Sequence, residues 1–599
     1  MTTIKYNDSV EKDLQQKKLI MDKTAPLTGN IFIDKPWTVN YPDQPRVVIQ
    51  TTETAYNLFK TTSLEHPNDV AVVLPDSNEI YTYSELLSLV DKTASALVQM
   101  GITSDSMIVG MLNSTIEEPI VFLAANKIGA TIKFVDYAKN MSEVLKSIES
   151  QPVDIIITDE MMLPMEPTLN KRKIPTIICG THRMYDRGHY LSFYEMLKKY
   201  PEDKNIESVY EEGKPKLIIN SSGTTGTSKP IVHTDRSINA SAQKMLFSNY
   251  PMEKGNVIMK IIPPQIGLGI ITTLYTSLIS GAPVVLVRGA NIDDTITNSI
   301  YFIQNFKKFL EKYNLPSDTK LVLFASPMYY RAIISNPLID DLSFMSGMLA
   351  AGSKMTKEEL EMLHAAALNK KCTTPITNGY GQNEMGGAVA LNDPLYNENG
   401  SAGYPVIGTN IRIVDQITLQ DVKPFEQGKI LEQSESVFLS YGNSEELTKK
   451  AFITLPDGTT WFDTNDIGYM SDTGFLYITG RTTRVIIRND LKIPLDTIEE
   501  KIKVAPFVHE CGALVTEQGS SQERMEVFIT IKPEFAADID EKEAIKLIIE
   551  KELLSDFEIP DAIMLLPEMP HLSSGKIDYQ TLKKLSKGMT AKLSKKQGN

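Results

Sequence analysis

Apolar positions along this chain follow two rhythms. Between residues 107 and 157, short apolar runs at 107–112, 130–135 and 153–158 alternate with longer, helically spaced segments at 117–129 and 142–150. This is the strand–helix–strand alternation of a parallel sheet. Upstream, the pattern predicts an amphipathic helix over 55–64, a strand over 71–74 and a turn at Asp76-Ser77-Asn78. A second helix follows, capped by Thr82 or Ser84, with Leu86, Leu87, Leu89, Val90, Ala94 and Leu97 on its apolar face. Downstream come a helix over 237–245, a strand over 321–325 running to Pro327, and a strand over 343–352 that ends in small residues. Residues 461–469, the turn Asp472-Thr473-Gly474 and residues 475–478 predict a hairpin. Strand and helix signals resume from Val485 to Ile531. The first 50 residues are polar and proline-spotted, a tail or an irregular wrap.

No charge occurs between Lys260 and Arg288, a span long enough to cross a bilayer. Pro263, Pro264, Gly267, Gly269, Gly281 and Pro283 interrupt it, so a buried helix followed by a buried strand is expected. No stable membrane span is expected.

The chemistry concentrates after the apolar run Leu217-Ile218-Ile219, which reads as a buried strand. It leads into Ser221, Ser222, Gly223, Thr224, Thr225, Gly226, Thr227, Ser228 and Lys229, and a second apolar pair, Ile231-Val232, follows. Ser/Thr/Gly runs are commonly solvated linkers, but this one is pinned between two apolar segments. Its glycines let backbone N–H groups converge, and hydroxyls and one mobile cation stand beside them, a donor set suited to a polyphosphate. It is not the Gly-Lys-Ser/Thr phosphate loop of the usual nucleotide triphosphatases, because Ser228-Lys229-Pro230 lacks both the glycine and the following hydroxyl.

Composition narrows the class. The chain has 599 residues, too many for one ordinary domain, with 42% apolar and 23% charged residues. A net charge of −14 argues against a nucleic-acid partner. Three scattered cysteines make no disulfide framework and suit a reducing cytoplasm. The seven histidines show no metal-binding spacing. The N-terminus is charged and lacks a signal-peptide core.

Residues 221–230 resemble the signature loop of the adenylate-forming superfamily, which holds acyl-CoA synthetases, adenylation domains and luciferases. Four stretches extend the resemblance. Tyr380-Gly381-Gln382-Asn383-Glu384 follows Asn378-Gly379, a segment that by itself reads as a glycine-rich turn. Thr464-Asn465-Asp466 precedes Gly480-Arg481, residues 485–500 look like the start of a small C-terminal domain, and Ser574-Gly575-Lys576-Ile577 follows near the end. Together with the 55–157 rhythm, the resemblance covers residues 55–585.

The resemblance implies an α/β protein: a large N-terminal domain of layered βαβ sheets at 51–482 and a small mobile α+β lid at 483–587. Residues 1–50 and 588–599 would be tails, the latter basic and frayed. It further implies that the 221–229 loop, including Ser221, Ser222, Gly223, Thr224, Thr225, Gly226 and Lys229, binds ATP phosphates. Gly352 and Ser353 lie along the adenine, with Gly379, Tyr380 and Gly381. Asn383 stands where the family has a threonine near the α-phosphate. Glu384 binds Mg²⁺, Asp466 accepts both ribose hydroxyls, and Arg481 adds a charged contact. Lys576 bridges the substrate carboxylate and the α-phosphate. Asn465 replaces a glycine, Thr483 occupies the hinge, and Asp490 stands where a glycine approaches the pantetheine arm.

The implied reaction joins a small carboxylic acid to AMP with release of pyrophosphate, then transfers the acyl group to a thiol of CoA or of a carrier protein's phosphopantetheine. An acyl-AMP ligase that does not use CoA, or a non-catalytic nucleotide-binding protein of the same fold, are the alternatives. No acidic residue lies between Lys260 and Arg288 to pair with an amino group, so an uncharged, partly apolar acid is expected. Gln265 stands near where aryl and acyl activators carry histidine.

Overall fold

The strand Leu217–Asn220 is buried because it pairs in parallel with Thr131–Phe134 on one side and antiparallel with Pro230–His233 on the other. In the computed structural model, which describes residues 28, 30–41, 52–136, 141–149, 152–159, 174–179, 190–221, 229–353, 355–482, 484–488, 491–516, 523–535, 538–550, 554–555, 557–572 and 576–596, this strand belongs to an eight-stranded sheet. That sheet carries the predicted alternation: Met107–Met111, Thr131–Phe134 and Ile155–Asp159 are parallel, with the helices Glu117–Ile128 and Met141–Glu149 between them.

A nine-stranded sheet holds Val70–Leu74, Val284–Leu286, Asn256–Lys260, Lys320–Ala325, Met345–Ala350 and Ile376–Gln382 in parallel, with antiparallel strands at its edges. Ile132 and Leu217 of the first sheet, Val72 and Val284 of the second, and helical Val121, Ile238 and Leu274 join one apolar core. A third, antiparallel sheet contains Thr409–Val414, Gly428–Ser434, Thr460–Met470 and Leu476–Arg481. The last two form the expected hairpin.

The first helices form as the sequence predicts. Ala55–Glu65 is one helix, and Tyr83–Gln99 begins at a Thr82 capping box with Glu85. Leu86, Val90, Ala94 and Leu97 are its buried positions.

The uncharged stretch is a buried helix and strand, with one difference. Leu268–Tyr275 is a π-helix that passes into Thr276–Ser280 before Val284–Leu286. Threonine hydroxyls support the wider turn: Thr273 Oγ1 donates to Leu268 O at 2.6 Å and Thr276 Oγ1 to Ile271 O at 3.0 Å, each five residues back. Among the described residues no helix is long and apolar enough to cross a membrane.

Three expectations are corrected. Residues 378–382 are not a turn but part of the strand Ile376–Gln382, because pairing with Met345–Ala350 and Gly387–Leu391 overrides the local glycine signal. The turn itself falls at Asn383–Met385 and Gly386, where φ is 68°. Residues 30–41 are a wrap rather than a tail: Ile31, Phe32, Trp37 and Tyr41 are buried, and Asn30 Nδ2 donates to Asp421 Oδ2 at 2.9 Å. Gly588 does not end the last helix, which runs through it as Tyr579–Lys596; Met589, Ala591, Lys592 and Leu593 are strong helix formers.

From Ile486 onward a separate apolar core forms, with Ile498, Ile502, Val527, Ile529, Ile548 and Ile563. The helix Leu495–Lys503 packs on the antiparallel pair Val508–Thr516 and Arg524–Ile531, which Ala562–Leu565 extends in parallel. Arg484 joins this unit internally, stacked 3.9 Å over the Tyr579 ring and paired with Asp496 and Glu499.

Lys260, at the end of its strand, is fully buried and donates to Glu118 Oε2 and Ser114 Oγ, both at 3.0 Å. Removing one member of such a pair strands the other charge in the core. Glu118→Ala is therefore expected to lower unfolding free energy by about 3–5 kcal/mol. The double variant Glu118→Met, Lys260→Met should lose much less in the same chemical denaturation experiment.

Candidate active site

A cavity of about 310 Å³ opens where the parallel strands of the nine-stranded sheet reach their carboxyl ends, the usual place for a ligand in such a sheet. Ile261, Ile262 and Pro263 enter it just after Asn256–Lys260, Ser326 after Lys320–Ala325, and Ala351 and Gly352 after Met345–Ala350. The eight-stranded sheet contributes Asn220, Ser221 and Lys229, the third sheet Thr464, Asn465 and Arg481, and the C-terminal unit Leu572 and Lys576.

Of the expected phosphate loop, Ser222, Gly223, Thr224, Thr225 and Gly226 lie outside the described residues, as do Thr483 and Asp490. The loop's two ends are pinched together. Ser221 N donates to Lys229 O at 2.8 Å, and Lys229 N donates to Ser221 Oγ at 2.9 Å. Lys229 Nζ lies 4.7 Å from the centre of the Tyr441 ring, and Tyr441 OH donates to Glu384 Oε1 at 2.9 Å. Glu384 Oε2 takes no hydrogen bond from a described residue.

Asn383 works as a clip. Its Nδ2 donates to Asn220 O at 2.7 Å, and its Oδ1 accepts from Gly267 N at 3.0 Å. Its own carbonyl accepts from His233 Nε2 at 2.8 Å. Burial pushes the His233 imidazole down to about 4, so it is neutral with its proton on Nε2. The clip joins the end of the strand before the phosphate loop, the residue before the π-helix, and the turn that carries Glu384.

Asp466 is buried and already holds three protein donors. Arg481 Nε pairs with Oδ1 at 2.9 Å, and Oδ2 accepts from Tyr380 OH at 2.5 Å and Gln382 Nε2 at 2.6 Å. The pair with Asp466 raises the Arg481 guanidinium further, and burial, then Asp466, pushes the Tyr380 phenol well up. Asn465, not Asp466, lines the cavity. Gln382 escaped the sequence reading, although the period-two geometry of a strand puts it on the same face as Tyr380.

Gly352, Gly379, Tyr380, Gly381, Asn383, Glu384, Arg481 and Lys576 all line the cavity; Ser353 is exposed and does not. Gly352 has φ of 92°, and a Cβ there would lie 3.4 Å from Lys576 Cε. Burial, then the nearby Arg481 charge, pushes the Lys576 ammonium down to about 8, against the pull of Asp466 and Glu384. Tyr441 and Asp136 also line the cavity and carried no motif. Asp136 reaches the wall from residues just after Thr131–Phe134, so the absence of acidic residues in the uncharged stretch does not make the cavity free of them.

Three cations facing one shared cavity with a partly committed carboxylate, at the strand ends of this fold, suit a polyphosphate ligand. The chain belongs to the AMP-binding enzyme family, whose sequence pattern matches residues 59–442. It is 22% identical over 492 residues to the peroxisomal OPC-8:0-CoA ligase 1 of Arabidopsis thaliana, covering 81% of this chain and 84% of that one. The fold matches the anthranilate CoA ligase AuaEII, solved with anthranoyl-AMP, at a TM-score of 0.76 and 20% identity, over 92% of this chain and 99% of that one. It also matches the O-succinylbenzoate coenzyme A synthetase of Bacillus subtilis, solved with ATP and magnesium, at 0.72 and 20% identity, over 88% and 99%.

Gly352→Ala forces an alanine into left-handed backbone next to Lys576 and is expected to cost about 1–2 kcal/mol of stability. Thermal unfolding checks this, with Gly213→Ala, another positive-φ glycine with open space around it, as the comparison for backbone strain alone.

Proposed function

We propose that the protein converts an uncharged, partly apolar carboxylic acid to its acyl adenylate and passes the acyl group to the thiol of CoA. The observation that carries the reading is that Lys229, Arg481, Lys576 and Glu384 share one cavity with Ile261, Ile262, Leu268 and Leu349. A polyanion and an apolar acyl chain are thereby both provided for. The acid's carboxylate is already a nucleophile, so no general base is required. An acid oxygen bonds to the α-phosphorus of ATP as the bond to pyrophosphate breaks.

Catalysis then rests on positioning and charge. Lys576 bridges the acid's carboxylate and the α-phosphate, and Gly352 leaves room for it. Lys229 and the 221–229 loop hold the outer phosphates. Tyr380 and the segment from Gly379 pack along the base. Asp466, already accepting from Arg481, Tyr380 and Gln382, keeps one lone-pair site, for a single ribose hydroxyl. Asn383 positions Glu384 and the loop rather than contacting phosphate itself, since both ends of its amide are committed to Asn220 and Gly267.

Glu384 fits a Mg²⁺ site: its Oε2 is uncommitted, it faces the cavity, and the triphosphate would complete an all-oxygen shell. Bound there, the ion supplies charge neutralisation on the phosphates. Among the described residues no cluster of three or more His, Cys, Asp or Glu offers an all-protein metal site.

We place the lid boundary near residue 483, which the separate core from Ile486 onward supports. A cytoplasmic setting is supported by three buried, unbridged cysteines, Cys179, Cys372 and Cys511.

Pyrophosphate release with ATP and Mg²⁺ across a panel of carboxylic acids, with and without CoA, tests the reading. Turnover that rises with CoA is expected. A single burst of acyl-AMP that CoA does not relieve would move the acceptor to a carrier-protein thiol or another nucleophile, and silence across the panel would favour a non-catalytic nucleotide binder. Lys576→Ala should add about 2–4 kcal/mol to the adenylation barrier in pyrophosphate exchange; unchanged exchange would remove Lys576 from the mechanism.

The pH profile has a definite sign. The ammonium is charged below about 8 and lost above it, so kcat/KM for ATP, which reports the free enzyme, should fall as pH rises through about 8. In kcat the limb should lie higher, because bound triphosphate favours the ammonium. Lys576→Arg should remove the limb from both profiles.

A further inference from the structure

The wall of the cavity contributed by the ends of two neighbouring strands is apolar except at Gln265, Ser326 and the phenol of Tyr329. Gln265 follows Asn256–Lys260 by a short turn, and Ser326 follows Lys320–Ala325 directly; these two strands pair in parallel. Both side chains line the cavity, both residues are more than nine-tenths buried, and neither has a hydrogen-bond partner among the described residues.

Each is an anomaly. A serine that opens a helix ordinarily turns its hydroxyl onto the free N–H groups of the first turn. Ser326 opens Pro327–Ser335 and makes no such bond. Gln265 presents one acceptor and two donors with nothing to meet them. Yet its backbone is held firmly: Pro263 and Pro264 precede it, Ile266 N donates to Pro263 O at 3.3 Å, and Gly267 N is tied to Asn383 Oδ1 at 3.0 Å. Ser326 Oγ is buried without a partner, and Gln265, on so fixed a turn and with no protein partner, lines the same cavity; both are placed for a ligand group. Continuing the strand register past Met259 and Leu323 sets Ser326 level with Ile262, three residues before Gln265, and both open onto the same cavity.

We propose that Gln265, with Ser326 beside it, reads an uncharged hydrogen-bonding substituent, an oxo or hydroxyl group, on the chain of the acid. This rests on the adenylation reading and specifies its substrate. The substituent is uncharged because the cavity's cations are engaged elsewhere: Lys229 lies over Tyr441, Arg481 pairs with Asp466, and Lys576, on the adenylation reading, serves the reacting carboxylate and the α-phosphate. A second carboxylate at Gln265 would be buried without a counter-charge. A plain alkyl chain would leave both polar groups unpaired, and a site built to hydrogen-bond discriminates strongly against the analogue that lacks the group.

The test is pyrophosphate release with short straight-chain carboxylates, each paired with analogues carrying one added oxo or hydroxyl group along the chain. The wild-type enzyme should prefer an oxygenated member over its plain partner by at least ~10-fold in kcat/KM. Gln265→Met, similar in length and without hydrogen-bonding groups, should collapse that ratio toward one. Ser326→Ala should move it in the same direction by a smaller factor, and its melting temperature should not fall, since no hydrogen bond is lost. A wild-type preference for every plain acid overturns the proposal. So does a Gln265→Met variant that loses activity equally on both members of a pair while Ser326→Ala leaves the ratio unmoved. No release with any acid, plain or oxygenated, would instead overturn the adenylation reading, and this proposal with it.

Discussion

The side-chain amide of Asn383 ties together three separate parts of the chain. One end binds the carbonyl of Asn220, where the strand before the phosphate loop stops; the other binds the N–H of Gly267, just before the π-helix. The backbone beside it carries Glu384, held from the other side by Tyr441. A hydroxyl also donates and accepts, but from a single oxygen, whereas the amide carries its donor and acceptor on two separate atoms of a longer planar fork. Asparagine, standing where the resemblance expects a threonine, thus has both ends of its amide committed to the frame of the cavity. Neutral His233, clamped on the same backbone, stiffens that frame without adding charge.

Charge is the second organising quantity. The cavity gathers Lys229, Arg481 and Lys576, and the protein balances them only in part, with Glu384 and the buried Asp466. Lys576 bears the cost of this arrangement, its ammonium weakened by lost water and by the neighbouring guanidinium. An incoming polyphosphate reverses both effects. The site is therefore better suited to its charged substrate than to being empty, which is the condition for using electrostatics in catalysis. Elsewhere the fold buries charge in closed pairs such as Lys260 with Glu118, where nothing is left to react.

Most of the architecture was legible in the chain. The helices Ala55–Glu65 and Tyr83–Gln99, and the alternation through Ile155–Asp159, follow from periodicity and caps. The segment 378–382 was not, because glycines signal a turn locally while its strand character comes from neighbours on both sides. The π-register of Leu268–Tyr275 was also hidden, since nothing in the sequence tells a threonine that bonds five residues back from one that bonds four back. In the site, most residues inside motifs were found, Gln382 being the exception, and those outside were not: Tyr441, Asp136 and Ser326 carry no local signature.

The sequence by itself determined which chemistry is available: a donor-rich loop, a carboxylate beside it, a lysine near the far end of the chain, and strands and helices to carry them. Periodicity and turn chemistry are local, so they survive without knowledge of the fold. Only the tertiary structure decided how those groups are used. It committed Asp466 to Arg481, Tyr380 and Gln382, turned Asn383 into a clip, left Ser353 outside, and set Lys576 over Gly352. These outcomes depend on which distant strands end side by side and how much water each side chain loses there, and neither is written in any short stretch of residues.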